Sequence, residues 1–150
     1  MAKNISIITI VLLILVALYI IFNLFFKKDY QNTNLKLNGH DYQIEIAQTI
    51  TQKSQGLSHR DQLCSNCGMI FLFNYQSTLP FWMKDTLFPL DLIWIDSDGK
   101  IVDIQTATET NSQKIYKNSS PAQYVLEINA GDCQKIGLKT GDIVDLSNIK

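Results

Sequence analysis

Charge of one sign is never concentrated in this chain. Thirteen Lys and Arg stand against 14 Asp and Glu in 150 residues, a net charge of −1. Without a basic stripe or an acidic block, the usual electrostatic footprint of a nucleic-acid binder is missing, and nucleic acid is not an expected partner. There is no Gly-rich phosphate loop and no convincing Ser-His-Asp or Cys-His arrangement, which leaves a nucleophilic hydrolase little to stand on. Histidine is limited to His40 and His59, and cysteine to Cys64, Cys67 and Cys133. A tetrahedral zinc site needs four ligands. His59 and the three thiols could only just supply them, with no second Cys-x-x-Cys or His pair, so no metal and no cofactor are expected. Internal repeats and low-complexity tracts are also lacking. The length suits one domain plus an appendage.

The appendage is the hydrophobic run Ile5 to Phe26, uncharged and interrupted only by Ser6, Thr9 and Asn23. As a helix its roughly 22 residues would cover about 33 Å, enough for a hydrocarbon core of about 30 Å. A buried helix would normally keep a polar face, and this run has none. A cleaved signal peptide would have a shorter apolar core followed by small residues. Here Asn23-Leu24-Phe25-Phe26-Lys27-Lys28 closes the run, with neither a small-x-small site nor a Cys to accept a lipid. Residues 1–28 therefore read as one uncleaved transmembrane helix, with the membrane as its partner, and polar residues 29–34 as a tether. Lys3 on one side and Lys27 and Lys28 on the other leave the positive-inside comparison tied.

Residues 35–147 read as a single domain, followed by a tail, 148–150. Two alternating strands, Leu35 to Asn38 and Tyr42 to Ala47, flank a tight turn at Gly39-His40-Asp41. Thr49 or Thr51 could cap a short helix that Gly56 ends. Met69 to Phe73 and Leu79 to Met83 have strand length. Asp91 to Ile95 and Ile101 to Gln105 flank Asp98-Gly99, a strong hairpin signal. Thr106 to Ser120 reads as a long loop and Tyr124 to Ile128 as a strand. Asp132 is placed to cap one helical turn closed by Gly137, and Ile143 to Leu146 reads as a last strand. The expected fold is mainly β, a small sandwich or partly closed barrel with one or two short helices.

Cys64-Ser65-Asn66-Cys67 has no α/β pattern around it of the kind a thioredoxin-type pair requires. Its plain reading is a local disulfide, or two free thiols shaping a loop. A disulfide fits an oxidising compartment and hence a domain outside the cytoplasm. The segment with most chemical character is Phe81-Trp82-Met83-Lys84-Asp85-Thr86, followed by Pro89 and Asp91. Alternation puts Phe81 and Met83 on one face and Trp82 and Lys84 on the other. An indole beside an ammonium, with Asp85 and Asp91 close in sequence, would form a wall for an aromatic or zwitterionic small molecule. Glu127 interrupts an apolar strand, so it faces solvent or is paired inside, with Arg60 and Lys84 the candidate partners. Candidate ligand contacts are thus Arg60, Trp82, Met83, Lys84, Asp85, Thr86, Asp91 and Glu127.

In order along the chain stand Gly56-Leu57-Ser58-His59-Arg60, Gly68-Met69-Ile70-Phe71, Phe81-Trp82-Met83-Lys84-Asp85-Thr86, Pro89-Leu90-Asp91 and Tyr124-Val125-Leu126-Glu127-Ile128-Asn129-Ala130-Gly131. That series resembles the prokaryotic family catalogued as domain of unknown function 192, from about Leu35 to Leu146. The resemblance implies a compact, mainly β domain, often behind a signal peptide or anchor, and leaves activity open. Two positions depart from the family pattern, which more often has Met at Ser58 and Asn at Asp85. The first weakens any thioether cluster there, and the second adds negative charge beside Lys84. The functional expectation is a membrane-tethered, extracytoplasmic domain that binds a small molecule. The alternatives are an enzyme using Glu127 or Asp91 as general base, or an assembly module of the cell envelope, which an extended apolar surface patch would favour.

Overall fold

Apolar residues at both parities of a strand require cover on both sides, and this requirement organises the domain. The structure, a computed structural model, describes residues 7–25 and 30–149. Helix α1 (Ile7–Phe25) has no charge in either terminal turn, and its side chains from Ile7 to Ile20 are exposed. Among the described residues no helix is long and apolar enough to cross a membrane. The ends of the expected span, and Lys27, Lys28 and Asp29 after it, lie outside those residues.

Strands β1 (Gln31–Leu37) and β2 (His40–Ala47) form an antiparallel hairpin. Asn38 and Gly39 make its two-residue turn with φ of 45° and 87°, the left-handed backbone such turns require. β1 begins inside the stretch expected to be tether, because Gln31 pairs with Ile46 and Asn34 with Gln43. Its first residues are polar edge positions that carry no apolar signal. Helix α2 (Ile50–Gln55) starts at Thr49, whose hydroxyl accepts from the Gln52 amide while the Gln52 side chain returns to the cap, and it ends at Gly56.

The chain then runs through β3 (Cys67–Ser77), β4 (Phe81–Met83), β5 (Leu90–Ile95), β6 (Ile101–Ala107), β7 (Ser112–Tyr116), β8 (Ala122–Asn129) and α3 (Asp132–Ile136). Six strands form one sheet in the order β1-β2-β3-β8-β5-β6, and β4 and β7 form a separate ribbon. Only β2 and β3 are parallel, with α2 in the crossover between them. The sheet is open, with β1 and β6 at its edges. The mainly β fold with short helices is as expected, and the sheet does not close, even partly, into a barrel.

Ile44, Ile70, Ile93, Ile95, Leu126 and Ile128 point to one side of the sheet and pack with Cys133, Ile136, Leu138 and Val144 from the C-terminal segment. Met69, Phe71, Leu92, Trp94 and Val125 point to the other side and pack with Leu57, Met83, Phe88 and Tyr116. All six residues of β5 are buried as a result, the mark of a central strand covered on both faces. Gly68 of β3 lies between Ile44 of β2 and Ile128 of β8. A Cβ there would lie 2.6 Å from the Glu127 carbonyl oxygen, 2.8 Å from Ile44 and 2.9 Å from Ile128, so no side chain fits.

Three expectations are corrected. Residues 106–120 are not all loop, because Ser112–Tyr116 is β7, which pairs with β4 through Phe81 and Tyr116. Its solvent-facing polar residues hide the alternation. Ile143 to Leu146 is not a strand. It makes a single bridge, Lys100 with Ile143, and the Val144 amide donates to the Gly99 carbonyl at 2.8 Å. The N-cap of α3 is Gly131, with Asp132 in the first turn, although Gly137 closes the helix as expected.

Candidate ligand cleft

Pairing registers place Asn32, Glu45, Met69, Glu127, Leu92 and Gln105 opposite one another in a row across the sheet. Opposed residues share a face, so Glu127 lies at the sheet centre between a thioether and an isobutyl group. It is 5% exposed. Burial pushes its carboxyl up to about 8, opposed only by the positive field of Arg60. Among the described residues no hydrogen bond or ion pair closes on that carboxyl. The anticipated Arg60–Glu127 pair is not made. Arg60 instead grips Glu45 with two nitrogens, at 2.6 and 2.7 Å, and its guanidinium lies over the Tyr30 ring at 5.8 Å.

Above Glu127 opens a cleft of about 350 Å3, bounded by α2 with Gly56 and Leu57, by Phe71 and Phe73 of β3, by Phe81 and Trp82 of β4, and by Lys84 and Thr86. The alternation expected in β4 holds. Met83 is fully buried and belongs to the core, while Trp82 is 50% exposed. Phe81 fixes the ribbon to the sheet by edge-on contacts with Phe71 and Trp94, centroids 5.0 and 6.3 Å apart. Trp82 turns the other way, and the Lys84 ammonium lies 5.6 Å from its ring centre.

Asp85 adopts φ of 57°, a left-handed backbone that Asn and Asp tolerate better than other side chains. This is the physical reason for either residue at that position. Its amide donates to Asn111 Oδ1 at 3.2 Å, and its carbonyl accepts from the His59 amide at 2.8 Å. A shallower hollow next to the cleft shares Trp82 and Lys84 and adds His59 and Asp85. Thr86 is buried at the cleft wall.

Trp82, Lys84, Thr86 and Glu127 therefore meet, whereas Asp91 does not join them. It lies on the opposite face with Ile93 and Ile95. There it accepts from the Thr106 hydroxyl at 2.7 Å and the Cys133 amide at 2.9 Å, tying β6 and α3 to β5. Arg60 is likewise outside the lining. Sequence reasoning missed Lys53, whose ammonium donates to the Leu72 carbonyl at 2.8 Å and lies over Phe73 at 4.7 Å. It also missed Phe71 and Phe73 as walls.

Cys64 and Cys67 are disulfide-bonded, their Cα atoms 5.3 Å apart, and they lie outside the cleft lining. Cys133 is buried, and that burial, with Asp91 beside it, pushes its thiol far up. Among the described residues no group of three or more His, Cys, Asp or Glu could hold a metal ion.

Residues 33–146 match the profile of DUF192, described as an uncharacterized ACR. The chain belongs to that family. A UPF0127 protein of Thermococcus gammatolerans is 30% identical over 111 residues, covering 71% of this chain and 66% of its own. The UPF0127 protein TK1120 of Thermococcus kodakarensis is 24% identical over 103 residues, covering 67% and 62%. The chain thus spans just under two thirds of the length of these curated relatives. Among solved structures, one from Sinorhizobium meliloti 1021, carrying the provisional description of transcription regulator, is 34% identical with a TM-score of 0.73. The match covers 79% of this chain and 95% of that one. A protein of unknown function from Novosphingobium aromaticivorans is 32% identical with a TM-score of 0.74, covering 77% and 86%. Both solved structures share the fold of this chain.

Proposed function

We propose that this DUF192 domain binds a small organic molecule in the cleft between α2 and the β4–β7 ribbon, with Glu127 at the floor, Trp82 as a wall and Lys84 at the mouth. The observation that carries the reading is the Glu127 carboxyl, buried, unpartnered and open to a cavity lined by aromatic rings. A bound molecule would give that carboxyl a partner in the cleft. The same proposal keeps the domain outside the cytoplasm, anchored by the N-terminal apolar run. Its support is the uncharged stretch Ile5 to Phe26 and the Cys64–Cys67 bond, which suits an oxidising compartment. Transcriptional regulation, the description attached to the Sinorhizobium relative, gains no support from a charge of −1 with both signs mixed.

One observation favours a second reading. A carboxyl held near 8 in a cleft can take up and release protons at neutral pH, so Glu127 could act as a general acid or base. Asp91, on the far face, could not assist it.

The test is a thermal-shift screen of small metabolites on the full chain in detergent, with Trp82→Ala and Glu127→Gln in parallel. Ligands that stabilise the wild type and fail on both folded variants support binding. If Trp82→Ala simply unfolds, the indole is a core element and the proposal loses its wall.

A further inference from the structure

Among the described residues, the cleft has two poles without counter-groups. At the floor, Glu127 is flanked across the sheet by Met69 and Leu92, neither of which can donate a hydrogen bond to it. At the mouth, the Lys84 ammonium rests over the Trp82 ring. The ion pairs among the described residues use other cations, with Lys36 on Asp41, Arg60 on Glu45, Lys114 on Glu109 and Lys135 on Asp132. Lys53, the other ammonium at the cleft, is turned to the Leu72 carbonyl. Between the poles stand rings of Phe71, Phe73, Phe81 and Trp82, whose faces attract a cation and whose area accommodates an apolar stem. A volume of about 350 Å3 is that of a sphere about 9 Å across, at the small end of ligand pockets.

We infer that the ligand is a small zwitterion of amino-acid type, its basic nitrogen donating to the Glu127 carboxylate and its acidic group meeting the Lys84 ammonium. This rests on the binding reading above and names its ligand class. A simple acid brings no cation to displace the Glu127 proton and would leave the ionised floor unpartnered. A simple amine would leave Lys84 so.

Docking an ammonium on Glu127 displaces the proton that burial keeps there up to about 8. The charged and titratable groups around it are Lys53 from α2, Lys84 beyond β4, and Arg60 with Glu45 and Tyr30 on the β2 side. His59 and Asp85 stand farther out beside Lys84. Binding therefore releases one proton below that pH. Affinity rises about tenfold per pH unit from pH 6 to 7 and levels off above about 8.

The experiment is calorimetry on the full chain in detergent, using the common free amino acids with their decarboxylated amines and deaminated acids. At least one amino acid should bind at least about tenfold tighter than both of its one-pole counterparts. Glu127→Gln should weaken it by tenfold or more and abolish the pH slope, while Lys84→Ala should weaken it and keep the slope. Folding of each variant is checked by circular dichroism. If a deaminated acid binds as tightly as its amino acid, or the slope persists in Glu127→Gln, the inference is overturned and the cleft reading stands. If nothing in the set binds, the inference is overturned and the cleft reading stands on the metabolite screen, whereas if Trp82→Ala leaves every response unchanged, both fall.

Discussion

Replacing Glu127 by Gln should stabilise the domain at neutral pH. In the unfolded chain this carboxyl titrates near 4.5, and in the folded one burial carries it to about 8. Between those values the folded state holds a proton that the unfolded state has lost, so stability falls as pH rises through the window. Each pH unit across it is worth about 1.4 kcal/mol. By pH 7 the accumulated loss is about 3 kcal/mol, and above pH 8 it approaches about 5 kcal/mol, a large part of an ordinary domain's stability. Gln keeps the shape and never ionises, so the variant should match the wild type near pH 4.5 and exceed it by about 3 kcal/mol at pH 7. Exposed carboxylates such as Glu109 and Asp145 titrate alike in both proteins and cancel in the difference. Urea unfolding followed by circular dichroism at pH 5, 6, 7 and 8 measures it. A difference that stays flat with pH, or a variant less stable at pH 7, would refute the assignment of Glu127 as a buried, unpartnered acid.

Three further outcomes follow from the packing. Trp94→Ala, which removes a fully buried indole whose nitrogen donates to the Leu79 carbonyl at 2.9 Å, should cost about 3–5 kcal/mol. Trp82→Ala should cost under about 1 kcal/mol, and denaturant midpoints in the reverse order would contradict the orientation of β4. Arg60→Ala breaks a pair whose side chains remain 30% and 26% exposed, so the stability loss should be about 1 kcal/mol. It also removes the one influence that lowers the Glu127 pKa, and an NMR titration should find that carboxyl ionising above its wild-type value. Reduction of Cys64–Cys67 opens a very short closed loop and should lower stability by about 2 kcal/mol at most, leaving ligand affinity unchanged. Paired melts with and without reductant check this.

Local signals in the chain were enough for the pieces whose geometry is local. Gly39 marked one hairpin, although its turn starts one residue earlier than expected, at Asn38, with His40 already in β2; Thr49 and Gly56 bounded α2, and the apolar runs around Asp98-Gly99 set β5 and β6. The loop at the second hairpin is fixed by Asp96, whose carboxylate accepts from the amides of Asp98 and Lys100 at 2.9 Å each. What depended on register was not legible. Leu92 opposes Glu127 while Asp91 opposes Ile128, and that one-residue parity sends Asp91 to the far core. Alternation within a single strand says which residues share a face, never which face of the neighbouring strand they meet. β7 escaped notice for a related reason. A ribbon strand whose exposed residues are Gln113, Lys114 and Ile115 has no apolar rhythm, and only its pairing with Phe81 and Trp82 makes it a strand.

The burial of β5 on both sides has a consequence for how this sequence can drift. From Leu90 to Ile95 no position faces water, so every neutral path through sequence space must go around those six residues. Tolerance has to reside in the margins, at β1, β6 and β7, where side chains reach solvent. A saturation library should therefore show an unbroken intolerant block in the middle of the gene, flanked by strands that accept substitutions at alternate codons.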